Sequence, residues 1–430
     1  MMEDENRAFV LRRRRFLQGT AVAAITAPLG TSVLAEERQN KHMPHAAAPL
    51  PDCVTFFGAH QAGIATPIQR HTYFIAFDLI TDDRAALIQL LKDWTALAAR
   101  MTDKPETFNP QEDHSQPSQE PGAAVDLPLS RLTVTFGFGA TLFVKDGQDR
   151  FGLKKMRPEA LVDMPRFAGD QLLPDRTGGD LSLQACADDP QVVEYAVRRF
   201  AKAARNVAVM RWAQMGFTGG FRHGETPRNQ MGFKDGTINV NTEDPAVMNK
   251  FVWVGEEGPS WMQGGSYMVI RPIRISLDHW DDMNTAFQEE TVGRRKINGA
   301  PIGKSRETDS LGLDRNDKDG NPVVNENSHA ALSAPESNDG AQILRRAFNY
   351  DNGIAKIAER WPPWRQLTTF DAGLLFQCYQ KDPRNGFIKM FKKMAQIDML
   401  NQFTTHTGSG LFACPKGVKP GEFIGQELFS

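Results

Sequence analysis

The sequence predicts an α+β fold made of two halves that follow the same order of elements. A chain of 430 residues suits two domains of ordinary size. The first half reads strand, helix, strand, strand, helix, strand, and the second half repeats that order more loosely. This is the order of the ferredoxin-like split βαβ unit, so we expect two βαββαβ halves, at residues 53–225 and 226–430.

Local patterns assign the elements of the first half. We predict a strand at 73–80, a helix over 87–101, strands at 132–138 and 181–187, a helix over 190–204 and a strand at 207–215. Asp82 and Asp83 precede the first helix as caps, and Pro190 occupies the first turn of the second. The apolar residues of 132–138 alternate strictly, which indicates one buried face. Residues 103–128 are predicted to be a polar insertion.

The second half carries the same pattern with longer connections. We predict a strand at 266–277, a helix over 278–292, strands at 347–350 and 374–379, a helix over 383–396 and a strand at 410–414. The polar segments 303–342 and 352–368 are predicted to be connections, and loops of that length in a compact domain usually carry function.

The composition excludes several classes of protein. With 40% apolar and 24% charged residues, the chain can bury a core, and wholesale disorder is not expected. A formal charge of −2 argues against binding to nucleic acid through its phosphates. The four cysteines form no CxxC motif, which excludes zinc ribbons, thioredoxin-like pairs and covalent c-type haem attachment. Cys186 and Cys378 fall inside predicted strands, whereas Cys53 and Cys414 could pair.

The N-terminal segment has the features of an export signal. Four arginines at 12–15 precede Phe16 and Leu17, and an apolar stretch follows that is too short and too interrupted to span a bilayer. The stretch ends at Ala35 with small residues where a signal peptidase cleaves. We therefore predict a twin-arginine signal at 1–35, a flexible spacer at 36–52, and export to the periplasm or the cell surface.

Two strings in the second half could carry chemistry. GFKDGTIN, at residues 232–239, has glycines on both sides of Phe-Lys-Asp, so the backbone can pass close to a flat or bulky ligand while Asp235 presents its carboxylate. A bare GxxDG would more often be a turn, but this string is longer. The second feature is His329 in the long connection, followed by the string QILRR at 342–346.

Together, these strings resemble the dye-decolourising peroxidases. The resemblance rests on GFKDGT at 232–237, the histidine about ninety residues later, and the Leu-Arg-Arg at 344–346. Further matches are GAHQAGI at 58–64, GGDL at 178–181, GGSY at 264–267 and GRRK at 293–296. It covers residues 53–430 and is most specific to the twin-arginine-exported, Efe-type deferrochelatase/peroxidase branch. The resemblance implies a duplicated ferredoxin-like fold, a dimeric α+β barrel, with one haem b in the C-terminal half.

The resemblance also implies roles for individual residues. His329 is expected to be the axial ligand of the haem iron, with an acceptor on its other ring nitrogen that strengthens it as a donor. Asp235 is expected to be the distal acid–base group, and Arg345 to stabilise the negative charge that develops on the peroxide. The haem face is expected to be lined by Gly236, Thr237 and Ile238.

One position departs from the pattern of that branch. Its better-known members continue from the histidine as HIRLANPR, whereas this chain reads HAALSAPE. Ala331 therefore stands where an arginine is expected to bind a haem propionate. The candidates to replace it are Arg294, Arg295 and Arg346. The histidines outside the pattern, including His60 and His406, are expected to be structural.

Two enzymatic functions follow from the resemblance. The first is a haem peroxidase that uses hydrogen peroxide to oxidise one-electron donors such as phenols, dyes or ferrous iron. The second is a deferrochelatase that releases iron from exogenous haem and leaves the porphyrin intact. Haem binding without catalysis is the non-enzymatic alternative. A homodimer and partners from an iron-uptake system stay open, and we expect neither nucleic acid nor a transmembrane segment.

Overall fold

The computed structural model describes residues 50–108, 115, 121–220, 225–361 and 364–430, and only the backbone of those between 358 and 368. The predicted signal at 1–35 and most of the predicted spacer lie outside these residues, as does part of the insertion at 103–128. In the part of the chain that is described, no helix has the length and apolarity needed to cross a bilayer.

The described residues form a mixed α+β structure. The strands are β1 (His71–Leu79), β2 (Thr133–Gly139), β3 (Leu181–Ala187), β4 (Ala208–Phe217), β5 (Ser266–Ile275), β6 (Leu344–Arg345), β7 (Phe348–Trp361), β8 (Trp364–Gln380), β9 (Thr404–His406) and β10 (Gly410–Cys414). The α-helices are α1 (Arg84–Asp103), α2 (Ala140–Phe143), α3 (Pro190–Ala204), α4 (Pro245–Phe251), α5 (Leu277–Asp281), α6 (Thr285–Val292), α7 (His329–Ser333) and α8 (Phe387–Ile397). Short 3₁₀ helices lie at Lys154–Met156, Pro174–Arg176, Ser260–Met262, Pro335–Ser337, Met399–Gln402 and Gln426–Phe429.

The strands form one antiparallel sheet that closes on itself. Strands of the first half lie in the order β4–β1–β3–β2, and strands of the second half in the order β10–β5–β8–β7. Both are the ferredoxin-like order, so the predicted duplication is confirmed. The halves join through the β4–β7 and β2–β10 pairs, which gives a ring of eight strands. β6 and β9 pair with β8 and β5 beside this ring.

Aromatic packing holds α1 and α3 on the sheet of the first half. Trp94 of α1 lies 5.7 Å from Phe136 of β2 and 6.1 Å from Phe200 of α3, measured between ring centroids. Its indole N–H donates to the carbonyl of Phe200 at 3.1 Å, so the one polar atom of the ring is satisfied. These rings are buried, and they fill the space between the helices and the sheet.

The structure corrects the sequence-based prediction in two places. The segment 352–368, predicted as a connection, belongs to the long β7–β8 hairpin. Residues 352–356 of that hairpin are exposed, so no buried face imposes the alternation that marks a strand in the sequence. The predicted helix over 278–292 is two helices, α5 and α6. Asn284 starts the second one by accepting a hydrogen bond from the N–H of Phe287 at 2.9 Å.

All four cysteines lie within the described residues, and all are free thiols. Cys53 is exposed and donates to the carbonyl of Thr102 at 3.1 Å, whereas Cys414 is buried, so the pairing that the sequence left open is absent. Cys186 and Cys378 are buried, as expected from their place in strands. Burial raises the pKa of the Cys378 thiol to about 12, which makes this residue unreactive at neutral pH.

We predict that Gly373→Ala destabilises the protein. Gly373 lies on β8 opposite Arg274 of β5, and a β-carbon there would lie 2.0 Å from the carbonyl oxygen of Ile273. This clash forces the backbone to shift in the β5–β8 pair, which closes the ring. We expect the free energy of unfolding to fall by about 1–3 kcal/mol. Thermal unfolding should show a lower Tm. Gly219→Ala is the control, since its β-carbon would meet no atom of the described part of the chain within 4 Å; equal Tm values for the two variants would contradict the predicted clash.

Candidate active site

A cavity of about 500 Å³ lies between the sheet of the second half and its helices. The sheet contributes Ile273, Leu374 and Phe376, and α8 contributes Phe387, Met390, Phe391 and Met394. The volume falls within the roughly 300–1,000 Å³ range of pockets that enclose a small ligand or cofactor. All the site residues predicted from the sequence line this cavity: Asp235, Gly236, Thr237, Ile238, His329 and Arg345.

His329 is the first residue of α7 and borders the cavity. Ser328 caps this helix by accepting a hydrogen bond from the N–H of Ala331. The Nδ1 atom of His329 lies 2.8 Å from a carboxylate oxygen of Asp398, a buried residue at the end of α8. With Nδ1 engaged by Asp398, Nε2 is the ring nitrogen left to act as a ligand atom.

Asp398 controls the charge of His329. Burial lowers the pKa of His329, but the carboxylate of Asp398 and its hydrogen bond raise it by more, so the net pKa lies above the ordinary value. The cation of Arg345 opposes this rise, and Asp235 adds to it. Asp398 is itself held by the N–H of Leu400, which donates to its other oxygen at 2.9 Å. The imidazole is therefore fixed in orientation and electron-rich.

Asp398 was missed in the sequence. It lies 69 residues from His329, and no spacing rule joins the two positions. The local signal at Asp398 is that of a capping residue, because it precedes the 3₁₀ helix Met399–Gln402 and accepts a hydrogen bond from its second residue. A single sequence does not distinguish an ordinary capping residue from one that also contacts an imidazole far away in the chain.

Asp235 and Arg345 meet where the loop 226–239 contacts β6. Nη1 of Arg345 lies 4.0 Å from a carboxylate oxygen of Asp235, and Nη2 donates to the carbonyl of Thr237 at 2.9 Å. Asn239 fixes the backbone of Arg345 from the same loop. Its amide donates to the Arg345 carbonyl at 2.8 Å and accepts from the Arg345 N–H at 2.9 Å. The carboxylate and the guanidinium are thus held side by side on the cavity wall.

The backbone of this loop is strained next to Asp235. Gly236 has φ +109° and Ile238 has φ +52°. Glycine adopts such values without cost, but a β-branched residue does not. Isoleucine in this conformation persists only where its surroundings fix the backbone, as they commonly do at ligand sites. The conformation leaves the Ile238 side chain 48% exposed, at the edge of the cavity.

Arg294 is the candidate arginine that reaches the cavity. Its guanidinium is buried and donates to the carbonyls of Gly299 at 2.8 Å and Glu307 at 3.0 Å. Burial and the cation of Arg345 lower the pKa of Arg294 to about 10, and the carboxylate of Glu307 opposes this. Two arginines therefore lie close together at this wall, which favours an anionic ligand group between or beside them.

The other two candidate arginines have partners away from the cavity. Arg295 forms a salt bridge with Glu289 at 2.7 Å. Arg346 points into the sheet interior, where it donates to the side chain of Gln69 at 2.8 Å and to the carbonyl of Thr66. Neither residue lines the cavity.

Two histidines outside the motif have distinct environments. His60 stacks on Trp253 with 3.9 Å between ring centroids, and its Nδ1 lies 2.6 Å from the carbonyl of Gly264, as expected for a structural residue. His406 lines the cavity, and its Nδ1 accepts a hydrogen bond from Arg271 at 2.9 Å. Burial and the Arg271 cation hold the pKa of His406 well below its ordinary value, so its ring is neutral.

The lining of the cavity fits a haem. Apolar side chains from the sheet and from α8 offer two walls for a flat, largely apolar group, and an imidazole nitrogen is available as an axial ligand. At Gly236, the nearest atom of the described residues to an added β-carbon is a methyl carbon of Thr226, 3.8 Å away, so the backbone leaves room for close approach of a ligand. Arg294 and Arg345 supply cations that can bind carboxylate groups.

Known proteins are similar to this chain in sequence and in fold. The families described as Dyp-type peroxidase, N-terminal, and Dyp-type peroxidase, C-terminal, match residues 61–218 and 226–419. The chain is similar to a dye-decolorizing peroxidase of Thermobifida fusca, with 36% identity over 97% of this chain and 96% of that protein. It is 32% identical to a deferrochelatase of Escherichia coli O157:H7, over 99% of each. The oxyferrous complex of DtpA from Streptomyces lividans superposes with a TM-score of 0.79, at 38% identity over 88% of this chain and 98% of that one.

We predict that Asp398→Asn destabilises the cofactor-free protein in a pH-dependent way. Because the pKa of His329 is raised in the folded state, the protonated pair stabilises the fold most below the ordinary pKa of 6.5. This contribution disappears as the pH rises through the folded pKa. The loss of Tm relative to the native protein should therefore be larger near pH ~5.5 than near pH ~8.5.

Asp244→Asn is the matched control for that measurement. Asp244 caps α4 by accepting hydrogen bonds from the N–H groups of Ala246 and Val247, so its effect on Tm should not vary between the two pH values. A Tm loss for Asp398→Asn that is equally independent of pH would show that the carboxylate does not stabilise a charged imidazole.

Proposed function

The chain belongs to the Dyp-type peroxidase family and is a haem-dependent peroxidase, and we propose that His329 is the axial ligand of its haem iron. The observation that carries this proposal is the 2.8 Å contact between Nδ1 of His329 and the buried carboxylate of Asp398. In metal sites such a carboxylate orients the imidazole and raises its basicity. The free Nε2 atom then provides the ligand lone pair at the cavity.

Haem bound at this cavity supplies an iron that peroxide oxidises and that one-electron donors reduce again. We assign one propionate of that haem to Arg294, because it is the buried cation at the cavity wall among the three candidates. The loop residues Gly236, Thr237 and Ile238 line the haem face. Arg294 would thus take over the role that Ala331 cannot perform.

Asp235 and Arg345 provide the proton transfer and the charge stabilisation. With hydrogen peroxide in the cavity, Asp235 would take a proton from one peroxide oxygen and deliver it to the other, which leaves as water. Arg345, 4.0 Å away, stabilises the negative charge that develops on the departing oxygen. An arginine suits this position because its charge does not depend on pH in the physiological range. Arg345 is held by Asn239 and by the carbonyl of Thr237, and the N–H of Asp235 donates to the carbonyl of Pro227 at 2.8 Å, so little reorganisation is needed.

Iron release from exogenous haem is a second candidate function. It is favoured by the similarity, over nearly the full length of both chains, to a protein named deferrochelatase. The N-terminal arginine motif supports export by the twin-arginine route to the periplasm or cell surface, where exogenous haem would be met. Phenols, dyes and ferrous iron are the proposed donors for the peroxidase reaction, and iron-uptake components are the proposed partners.

We predict that Asp235→Ala retains haem but loses most of its reactivity with peroxide. Removing a positioned acid–base group typically costs about 10²–10⁴-fold in rate. The rate constant for the reaction with hydrogen peroxide, measured by stopped-flow absorption, should fall within that range, while the Soret band of the resting protein stays in place. A variant that reacts at the native rate would exclude Asp235 from the mechanism.

The second function predicts metal-free porphyrin. Incubation of the protein with haem under reducing conditions should produce the fluorescence of protoporphyrin if iron is removed with the ring intact. His329→Ala should abolish the signal, because the metal would no longer be coordinated from the protein side. Haem that stays non-fluorescent with the native protein would leave peroxidase activity as the function.

A further inference from the structure

The segment 294–311, which follows α6 and contributes Arg294 to the cavity wall, holds the Asp235 loop. Arg228 donates to the carbonyls of Lys296 at 2.6 Å and Ile297 at 2.7 Å, and these bonds tie the start of the loop to the segment. Arg228 also forms an antiparallel backbone bridge with Lys234, so the residues before Asp235 make a small hairpin. The hairpin is therefore supported along one side by the segment.

Glu307 connects both arms of that hairpin. One oxygen of its carboxylate accepts a hydrogen bond from the hydroxyl of Thr226 at 2.6 Å, and the other forms a salt bridge with the ammonium of Lys234. Lys234 directly precedes Asp235 in the chain. The same Glu307 residue accepts a hydrogen bond from Arg294 through its backbone carbonyl. One residue thus joins the loop, the segment and the buried arginine.

The path of Lys234 toward Glu307 is set by Gly299. This glycine has φ +75°, and a β-carbon at its position would lie 2.9 Å from Cδ of Lys234. The aliphatic part of the lysine therefore lies against the Gly299 backbone. Its ammonium is directed to Glu307 by this packing, and the lysine and the glutamate are each roughly three-quarters buried, at 24% and 22% exposure.

Glu307 is ionised and offsets positive charge at this wall. Burial raises its pKa, but the hydrogen bonds from Lys234 and Thr226 and the charges of Lys234 and Arg294 lower it by more, so the net pKa is below the ordinary value. The cations nearby are Lys234, Arg294 and Arg345. Without Glu307, the Lys234 cation next to Asp235 would have no counter-charge among these contacts.

We propose that Glu307 is a positioning residue for Asp235, which fixes the hairpin and neutralises Lys234 so that Asp235 pairs with Arg345 rather than with the lysine. The inference rests on the proposed function, in which Asp235 accepts the peroxide proton. Other charged groups also line the cavity with Asp235: His329 of α7 with its partner Asp398, and Arg294 after α6. Glu336 and the neutral His406 complete the ionisable lining.

The proposal predicts charge effects of opposite sign. Glu307→Gln keeps an acceptor for Thr226 but leaves the Lys234 cation uncompensated, which favours an ionised Asp235. Lys234→Met leaves the Glu307 anion uncompensated, which favours a protonated Asp235. The double variant removes both charges and should behave like the native protein. If Glu307 only stabilised the segment, both single variants would lose reactivity with peroxide, and the double variant would not recover the native reactivity.

The experiment measures two pH profiles on the haem-loaded protein. The first is the rate constant for reaction with hydrogen peroxide, and the second is cyanide affinity, read from the Soret band, because neutral HCN leaves its proton with the distal base. In Glu307→Gln the acid midpoint of both profiles should move down by about 0.5 pH unit or more, and in Lys234→Met it should move up. Asp309→Asn, with the same charge change two residues away, should leave both midpoints in place.

Each outcome supports or overturns the positioning role. Opposite shifts that cancel in Lys234→Met/Glu307→Gln support the proposal; shifts of the same sign, or no shift, overturn it. If Glu307→Gln fails to fold, Lys234→Met provides the same test through the upward shift of its acid midpoint. An unshifted midpoint in Lys234→Met then overturns the proposal. If Asp235→Asn keeps the native midpoint, the profile belongs to another group. That result contradicts the assigned role of Asp235 itself, and with it the inference that depends on it.

Discussion

The contact between His329 and Asp398 is the constraint on which the site depends. It requires the first residue of α7 and the residue after α8 to meet, although 69 residues separate them. The Ser328 cap fixes the start of α7, and the two oxygens of the Asp398 carboxylate are held by the His329 ring and by the Leu400 N–H. A buried carboxylate beside an imidazole is stable only because each satisfies the other. The pair therefore fixes which ring nitrogen faces the cavity, and it does so before any cofactor binds.

The duplicated fold explains where the cavity lies. Both halves have four strands in the same order, but their helices differ. In the first half, the 20 residues of α1 and the 15 of α3 cover the sheet, and Trp94, Phe136 and Phe200 fill the layer between. In the second half, the short helices α5 and α6 take the place in chain order that α1 has in the first. Apolar residues of β5, β8 and α8 then surround a space instead of packing against each other. The first half is filled by packed side chains, and the second keeps the same strand order with room for a cofactor.

Much of the fold and part of the candidate site could be predicted from the sequence. The strands β3 and β10 were predicted residue for residue, and the order of elements identified the duplicated fold. Asp235, His329 and Arg345 were singled out because their strings resemble those of the dye-decolourising peroxidases, and all three line the cavity. Asp398, Glu307 and the choice of Arg294 were not predictable, because each depends on a contact between residues far apart in the chain and of common types. The β7–β8 hairpin was missed for a different reason: its described outer residues have no buried face, so they carry no period.

The most direct test of the central claim is the iron–imidazole stretching band in the resonance Raman spectrum of the ferrous protein. If Nε2 of His329 binds the iron while Nδ1 is held by Asp398, the band should be present at the high frequency of a strongly hydrogen-bonded imidazole. It should move to lower frequency in Asp398→Asn and vanish in His329→Ala. A band that is unchanged in both variants would show that another residue coordinates the metal, and would contradict the role of the His329–Asp398 pair.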